Sequence, residues 1–389
     1  MNTLKSRILN FACLFLIIFC LSCGSEKSST GDTELTKKNG YQSFKIDINE
    51  EKIPFVDLIE SLQITRLEET EESLLRYVGQ IMFHEDRMIF PDNQGTFYIY
   101  SKNGEFLNKF NHKGQGPEEY SRLTDVWLED GVLSVHSTGK AVNRYDLAGN
   151  FIDRDRLTER AVHAFPYKGG YLLDMSLRYT QDSLKYSLIT LDEELKLDKT
   201  FLPFDKSLGS IFSFSPNSIF KLGDDLLYLR EIGSIVYKVT ADTLVPYIFY
   251  DFGENWYFKP GVEITPNFSE EQRRNKQAWY VLNHIGHNFI YIHTTLGPRM
   301  DYSYLIDRQS GRSVSIESRT STNESLDVVG SGWEGDEFLF TLRSTQFIDL
   351  VDQLGEEQYS FTEGSSLEEI ESSENPVLLR VKFKDFSKK

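Results

Sequence analysis

A short apolar strand pattern recurs six times along the chain, and no other feature narrows the fold as far. The copies begin at Met88-Ile89-Phe90, Val132-Leu133-Ser134-Val135, Tyr171-Leu172-Leu173, Leu226-Leu227-Tyr228-Leu229, Phe289-Ile290-Tyr291-Ile292 and Phe338-Leu339-Phe340. Each follows a turn-like pair, among them Glu85-Asp86, Asp130-Gly131 and Gly169-Gly170. Downstream of most copies comes a hairpin, as where Asn103-Gly104 separates Tyr98-Ile99-Tyr100 from Phe106-Leu107, a step suited to a two-residue reversal. One unit is therefore four antiparallel strands. Six such units, about 40–60 residues apart, predict an all-β, six-bladed β-propeller, whose radial closure leaves only short protected edges. Two stacked sandwiches would not call for one motif in six copies.

The chain ends fit that ring. Leu62 to Leu67 is a strand with no partner before it, and Pro376 to Phe383 is a third strand after which the sixth unit has no fourth. Pairing the early strand beside the last one closes the circle. An aromatic share of 13%, with 28 Phe and 20 Tyr, agrees with β structure. With 59 acidic against 42 basic residues, a formal charge of −17, non-specific nucleic-acid binding is excluded, since it needs a cationic surface.

The amino terminus reads as an address. Lys5 and Arg7 precede an apolar run from Ile8 to Leu21, broken by Asn10 and too short to span a bilayer comfortably. It ends in Cys20-Leu21-Ser22-Cys23-Gly24 before a polar tract. This resembles a bacterial lipoprotein signal in which Cys23 becomes the lipidated first residue, although Cys20 stands where Leu is usual. Plain secretion is the alternative. The expected organisation is a signal at residues 1–22, a flexible tether at 23–45 and the propeller at 46–389. All three cysteines (Cys13, Cys20, Cys23) lie in the leader, so the body has no disulfide, cysteine nucleophile or cysteine metal site. Removing residues 1–22 takes away Lys5 and Arg7 and no acid, leaving 40 basic against 59 acidic residues, a formal −19. Such a body is held to anionic membrane by acyl chains rather than by charge.

Asn111-His112-Lys113-Gly114-Gln115-Gly116-Pro117-Glu118-Glu119-Tyr120 follows the first hairpin. Together with the six units and the leader, this stretch resembles the six-bladed β-propeller lipoproteins of Bacteroidota, relatives of NHL-repeat propellers. In that family Glu118 is commonly glycine. The resemblance covers roughly residues 50–386 and implies a propeller fold and a place in the cell envelope, most readily the outer membrane. It implies no reaction.

With strands a to d running outward from the axis, a–b and c–d turns fall on one face, and b–c and d–a connections on the other. The long insertions, 254–277 (d–a) and 345–375 (b–c), both belong to the second face, which makes it the expected binding surface. In the first insertion Trp256 and Tyr257 open the loop and Ser269-Glu270-Glu271-Gln272 is a capping-box pattern. In the second, Phe347 to Leu354 reads as an amphipathic helix, with a short turn at Ser366 to Ile370. They form either a lid over the channel, its aromatics a stacking shelf, or a packed cap over the end of the ring. Aligning the recurrent strands puts Asp92, His136, Arg230 and His293 at one register, with Arg343 one step beyond, as a ring of polar groups at the mouth. Strand ends that simply meet water would look the same.

Few chemical signatures are present. His136 and His293 fall on opposite units, and His284-x-x-His287 straddles a turn, so no metal site is expected. No cofactor motif appears. Asp92-Asn93-Gln94-Gly95 lacks the remaining ligands of a calcium loop. The preferred reading is a monomeric, envelope-anchored binding or scaffold propeller that recognises a glycan, peptide or partner protein on its loop-rich face. The alternative is a hydrolase or lyase using axial carboxylates or Asp92, His136 and His293.

Overall fold

A computed structural model describes residues 40–386, apart from residues 138, 179–181, 205–217, 260–270, 272–275, 298, 320–325 and 327. Six antiparallel sheets follow one another along the chain, and each recurrent strand is the second of its sheet: Arg87–Pro91, Val132–Ser137, Gly170–Asp174, Asp225–Leu229, Phe289–Leu296 and Glu337–Leu342. These strands are apolar because both faces of each blade pack on a neighbour. Met88, Ile89 and Phe90 are wholly buried, as are Tyr291 and Ile292. First strands of blades 1 and 2, 2 and 3, 3 and 4, and 5 and 6 touch around the axis. Since neighbours within a blade alternate in direction, all b–c and d–a connections emerge on one face, called here the loop-rich face.

The ring closes through the amino-terminal segment. Ile59–Arg66 pairs antiparallel with Val377–Phe383 and supplies the missing fourth strand of blade 6. Gly104, in the Asn-Gly turn of blade 1, has φ +91, and a Cβ there would lie 1.8 Å from the Arg66 carbonyl oxygen. Only glycine lets this turn abut the end of the closing strand.

Two features depart from expectation. Residues 42–45, placed in the tether by the sequence reading, form a strand that pairs parallel with Leu244–Asp251 as a fifth strand of blade 4. Ile53–Pro54 adds likewise to blade 5. The chain thus runs along the rims of blades 4 and 5 before entering blade 6. Nothing in a four-residue segment such as Gln42-Ser43-Phe44-Lys45 marks it as a strand until an open edge is beside it.

The 345–375 insertion packs, as one of its two readings had it, but against blade 6 and not over the end of the ring. Helix Ser344–Val351 buries Phe347 and Leu350, helix Leu367–Glu371 buries Ile370, and all three join the apolar cluster containing Phe55, Leu62 and Phe338. Between them Tyr359–Phe361 pairs parallel with the closing strand, outermost in blade 6. The insertion is a packed flank of blade 6. The lid reading is set aside because none of its residues lines the central cavity. Of the 254–277 insertion, the capping-box residues Ser269, Glu270 and Gln272 lie outside the described residues, as does Cys23.

Candidate functional site

A cavity of about 1360 Å³ occupies the centre of the ring. Inner strands of every blade line it, through residues such as Phe83, Asp125, Phe165, Phe220, His284 and Trp333. The residues aligned at one register do not converge on it as a set. Asp92 closes its own turn, Oδ1 accepting from the amides of Gln94 (2.8 Å) and Thr96 (2.7 Å). Arg343 is exposed at the start of helix Ser344–Val351. His293 does line the cavity, its Nδ1 2.8 Å from Ser303 Oγ, and burial pushes it down to about 4. His284 nearby is pushed down to about 3, by burial and then by His293, so both rings stay neutral. Arg230 is half-buried beside Tyr228 and Tyr237.

The aromatic shelf is also absent. Trp256 stacks on Phe252 with centroids 5.4 Å apart, and Tyr257 is buried and donates to Glu271 Oε2 at 2.7 Å. Both rings are engaged in these contacts rather than forming an open platform. The glycine-rich stretch is structural too. Gly116 N–H donates to Glu119 Oε2 (2.7 Å), Tyr120 Oη to the Gly95 carbonyl (2.7 Å), and Tyr145 Oη to the Glu118 carbonyl (2.6 Å). Together these bonds buckle blade 1 to blade 2.

His136 leads to what the register alignment missed. It is wholly buried, and its Nδ1 lies 2.8 Å from Asp125 Oδ2. The other oxygen of Asp125 lies 2.5 Å from Nδ1 of His163, and the Ala164 amide donates to Oδ2 at 2.9 Å. Asp125 and His136 belong to blade 2, and His163 opens blade 3. Burial alone would raise the Asp125 carboxyl, but His163 and His136 overcome it and hold the group well below the usual carboxylate range. The carboxylate therefore stays charged and ties two blades together.

A second buried group adjoins it across blades 3 and 4. Asp174 Oδ1 accepts from the Ser176 amide (2.7 Å) and from Tyr228 Oη (3.3 Å), and Ser176 Oγ donates to Glu231 Oε2. Ser176 and Leu177 hold φ of 42° and 59°, a left-handed pair without glycine, which is backbone strain of the kind stored at functional sites. Glu231 is pushed up to about 8, first by burial and then by Asp174; Asp174 is raised, chiefly by burial. All of these residues lie where b–c and d–a connections leave the blades, on the loop-rich face. Among the described residues, no grouping of three or more His, Cys, Asp and Glu is arranged to hold a metal ion.

A family model described as "Domain of unknown function (DUF4934)" matches residues 43–382. No curated protein matches the chain. Among solved structures, a Bacteroides fragilis protein named for inferred export is similar with a TM-score of 0.69 at 18% identity, over 88% of this chain and 99% of that one. The extracellular domain of a Bacteroides thetaiotaomicron protein, named for an inferred hybrid two-component system, gives a TM-score of 0.39 at 10% identity, over 71% of this chain and 34% of that one. At 18% identity the likeness to the Bacteroides fragilis protein concerns the fold alone.

Proposed function

Because the chain belongs to the DUF4934 family, whose description assigns no reaction, we propose a function from the geometry of the loop-rich face. The protein is an envelope-anchored binding propeller, lipidated at Cys23, that takes a glycan, peptide or partner protein where blades 2 to 5 meet that face. One observation carries the reading: buried carboxylates, histidines and a strained serine turn gather there, while the rest of the ring interior is dominated by apolar packing. Binding and catalytic sites are where burial and neighbouring charges shift several carboxyls together, and that supports the reading. A cleaved leader and an acyl chain on Cys23 would hold the protein outside the cytoplasm, and the likeness to a protein named for inferred export supports that reading.

A second reading, a hydrolase or lyase, is favoured specifically by Glu231, a carboxyl that keeps its proton near neutral pH and could act as a general acid. One set of experiments separates the two. Glycan and peptide arrays probed with the wild type and Arg230→Glu should reveal a ligand whose binding the variant loses at unchanged melting temperature. Cys23→Ala should move the protein out of the membrane fraction. Turnover of the array ligand, abolished by Glu231→Gln, would replace binding by catalysis.

A further inference from the structure

The wall of the central cavity does not share the charge of the molecule around it. The whole chain carries a formal charge of −17, yet the wall holds three acids, Asp125, Glu129 and Glu317, and three bases, Lys52, Lys221 and Arg319. None of the six stands alone. Lys221 Nζ lies 3.1 Å from Glu129, while Lys52 and Arg319 lie 3.9 and 3.4 Å from Glu317. Asp125 is held between His136 and His163. His284 and His293, also in the wall, are neutral. A charged ligand entering here would lose water and meet no waiting counter-charge.

A purely apolar ligand suits the wall no better. Each inner strand is the end member of its sheet, so one edge of its backbone pairs with no other strand and turns amides and carbonyls toward the cavity. In blade 6 that edge is bared further. The inner strand Val329–Glu334 has a register irregularity between Gly330 and Gly332, and at Gly332, with φ +134, a Cβ would meet nothing within 4 Å. Glycine at such a place lets a ligand approach the backbone closely.

Aromatic rings complete the wall. Phe83, Phe165, Phe220 and Trp333, from blades 1, 3, 4 and 6, line the cavity and keep part of their surface exposed. Tyr77 lines it too, from the 67–81 connection that enters blade 1 on the loop-rich face, and is 43% exposed. A ring left open at the rim of a cavity is available to whatever enters. One chemistry meets all of these conditions: hydroxyl groups that donate and accept, carried without charge on a ring whose C–H face lies on an aromatic. We propose that the central cavity binds an uncharged oligosaccharide, which enters past Tyr77 and rests on Trp333 and Phe83 beside the Gly330-Ser331-Gly332 edge. The cavity, about 1360 Å³, exceeds the range of about 300–1,000 Å³ usual for small ligands, which suits a chain of sugars rather than one. The inference goes beyond the mouth reading and does not rest on it, since neither Asp174, Glu231 nor Arg230 lines this cavity.

The test is an array of neutral hexasaccharides of glucose, mannose, galactose, xylose and N-acetylglucosamine, printed beside oligogalacturonate and uncharged hexapeptides and probed with the full chain. Neutral saccharide alone should be retained. For the tightest of them, affinity measured by calorimetry should change by less than about twofold between about 0.05 and 0.5 M sodium chloride, because binding neutralises no charge. Tyr77→Ala should weaken it about tenfold at unchanged melting temperature. Leu107→Ala, 48% exposed on the outer strand of blade 1 and outside the cavity wall, should leave it unchanged. Retention of no neutral saccharide, preference for oligogalacturonate or peptide, a steep loss with salt, or indifference to Tyr77→Ala overturns the proposal. A saccharide lost in Arg230→Glu and kept in Tyr77→Ala would sit at the mouth, so that the channel proposal falls while the mouth reading stands.

Discussion

Blade 6 and the mouth of blades 2 to 4 are buried to a similar degree and by opposite means. Around blade 6 the closing strand, both helices of the 345–375 insertion and the chain from Phe55 onward collect into one apolar cluster, with Phe347, Leu350, Ile370 and Phe338 at full burial. At the mouth the interior holds Asp125, His136, His163, Asp174 and Glu231, with several atoms left unpartnered. Burying hydrocarbon stabilises directly, by about 25 cal/mol per Å². Burying carboxylates costs free energy that their partners only partly return. A molecule that seals its ring so thoroughly at blade 6 can tolerate a costly polar interior elsewhere, and that tolerance is what a binding site needs.

Removing the seal should separate the two regions most sharply. Deleting residues 41–66 takes away the fourth strand of blade 6 and the fifth strands of blades 4 and 5, and the chain should lose its cooperative thermal transition and aggregate. A deletant with the wild-type melting temperature would contradict the closure. A finer test sets one side chain from each region against the other by denaturant unfolding. Phe347→Ala and Asp125→Ala should each cost about 3–5 kcal/mol, the first by opening a cavity, the second by leaving buried histidines without their carboxylate. Shape-conserving swaps should then diverge. Phe347→Leu should cost about 1 kcal/mol, because hydrocarbon remains, whereas Asp125→Asn should keep most of its loss, because volume is not what Asp125 supplies. Similar losses for the two conservative swaps would erase the distinction between the regions.

These differences also explain what could be read from residues alone. The blades were legible because a strand buried on both faces must be apolar along its length, and turn residues must interrupt it; Met88-Ile89-Phe90 and its five counterparts satisfy both. The closing strand was legible because Ile59–Arg66 has no local partner. The fifth strands were not, since their only signal is an edge supplied by blades 4 and 5. The polar group was missed for a geometric reason. Aligning on Asp92, His136, Arg230 and His293 selects one register, while Asp174 stands one step before it and Glu231 one step after. Asp125 and His163 sit on first strands 38 residues apart, and only the curvature of the ring brings them within hydrogen-bond distance. An acid closing an otherwise apolar strand, as in Leu172-Leu173-Asp174, was the available signal.

The mouth keeps the Glu231 carboxyl protonated in the folded protein, and the pH dependence of stability reports that proton. The unfolded chain releases the Glu231 proton near its ordinary value of 4.5, and the folded protein keeps it to about 8. Between those values the folded state binds the extra proton, so raising the pH favours unfolding. Asp125, displaced in the opposite direction, matters only at lower pH. His284 and His293, held neutral well below the 6.5 of an ordinary histidine, make stability rise with pH up to that value, so the window that isolates Glu231 lies above it. Stability measured by urea unfolding from pH 7 to pH 8 should fall by on the order of 1 kcal/mol in the wild type, and this slope should be largely lost in Glu231→Gln. An identical slope in both proteins, or wild-type stability that rises across the range, would contradict the account.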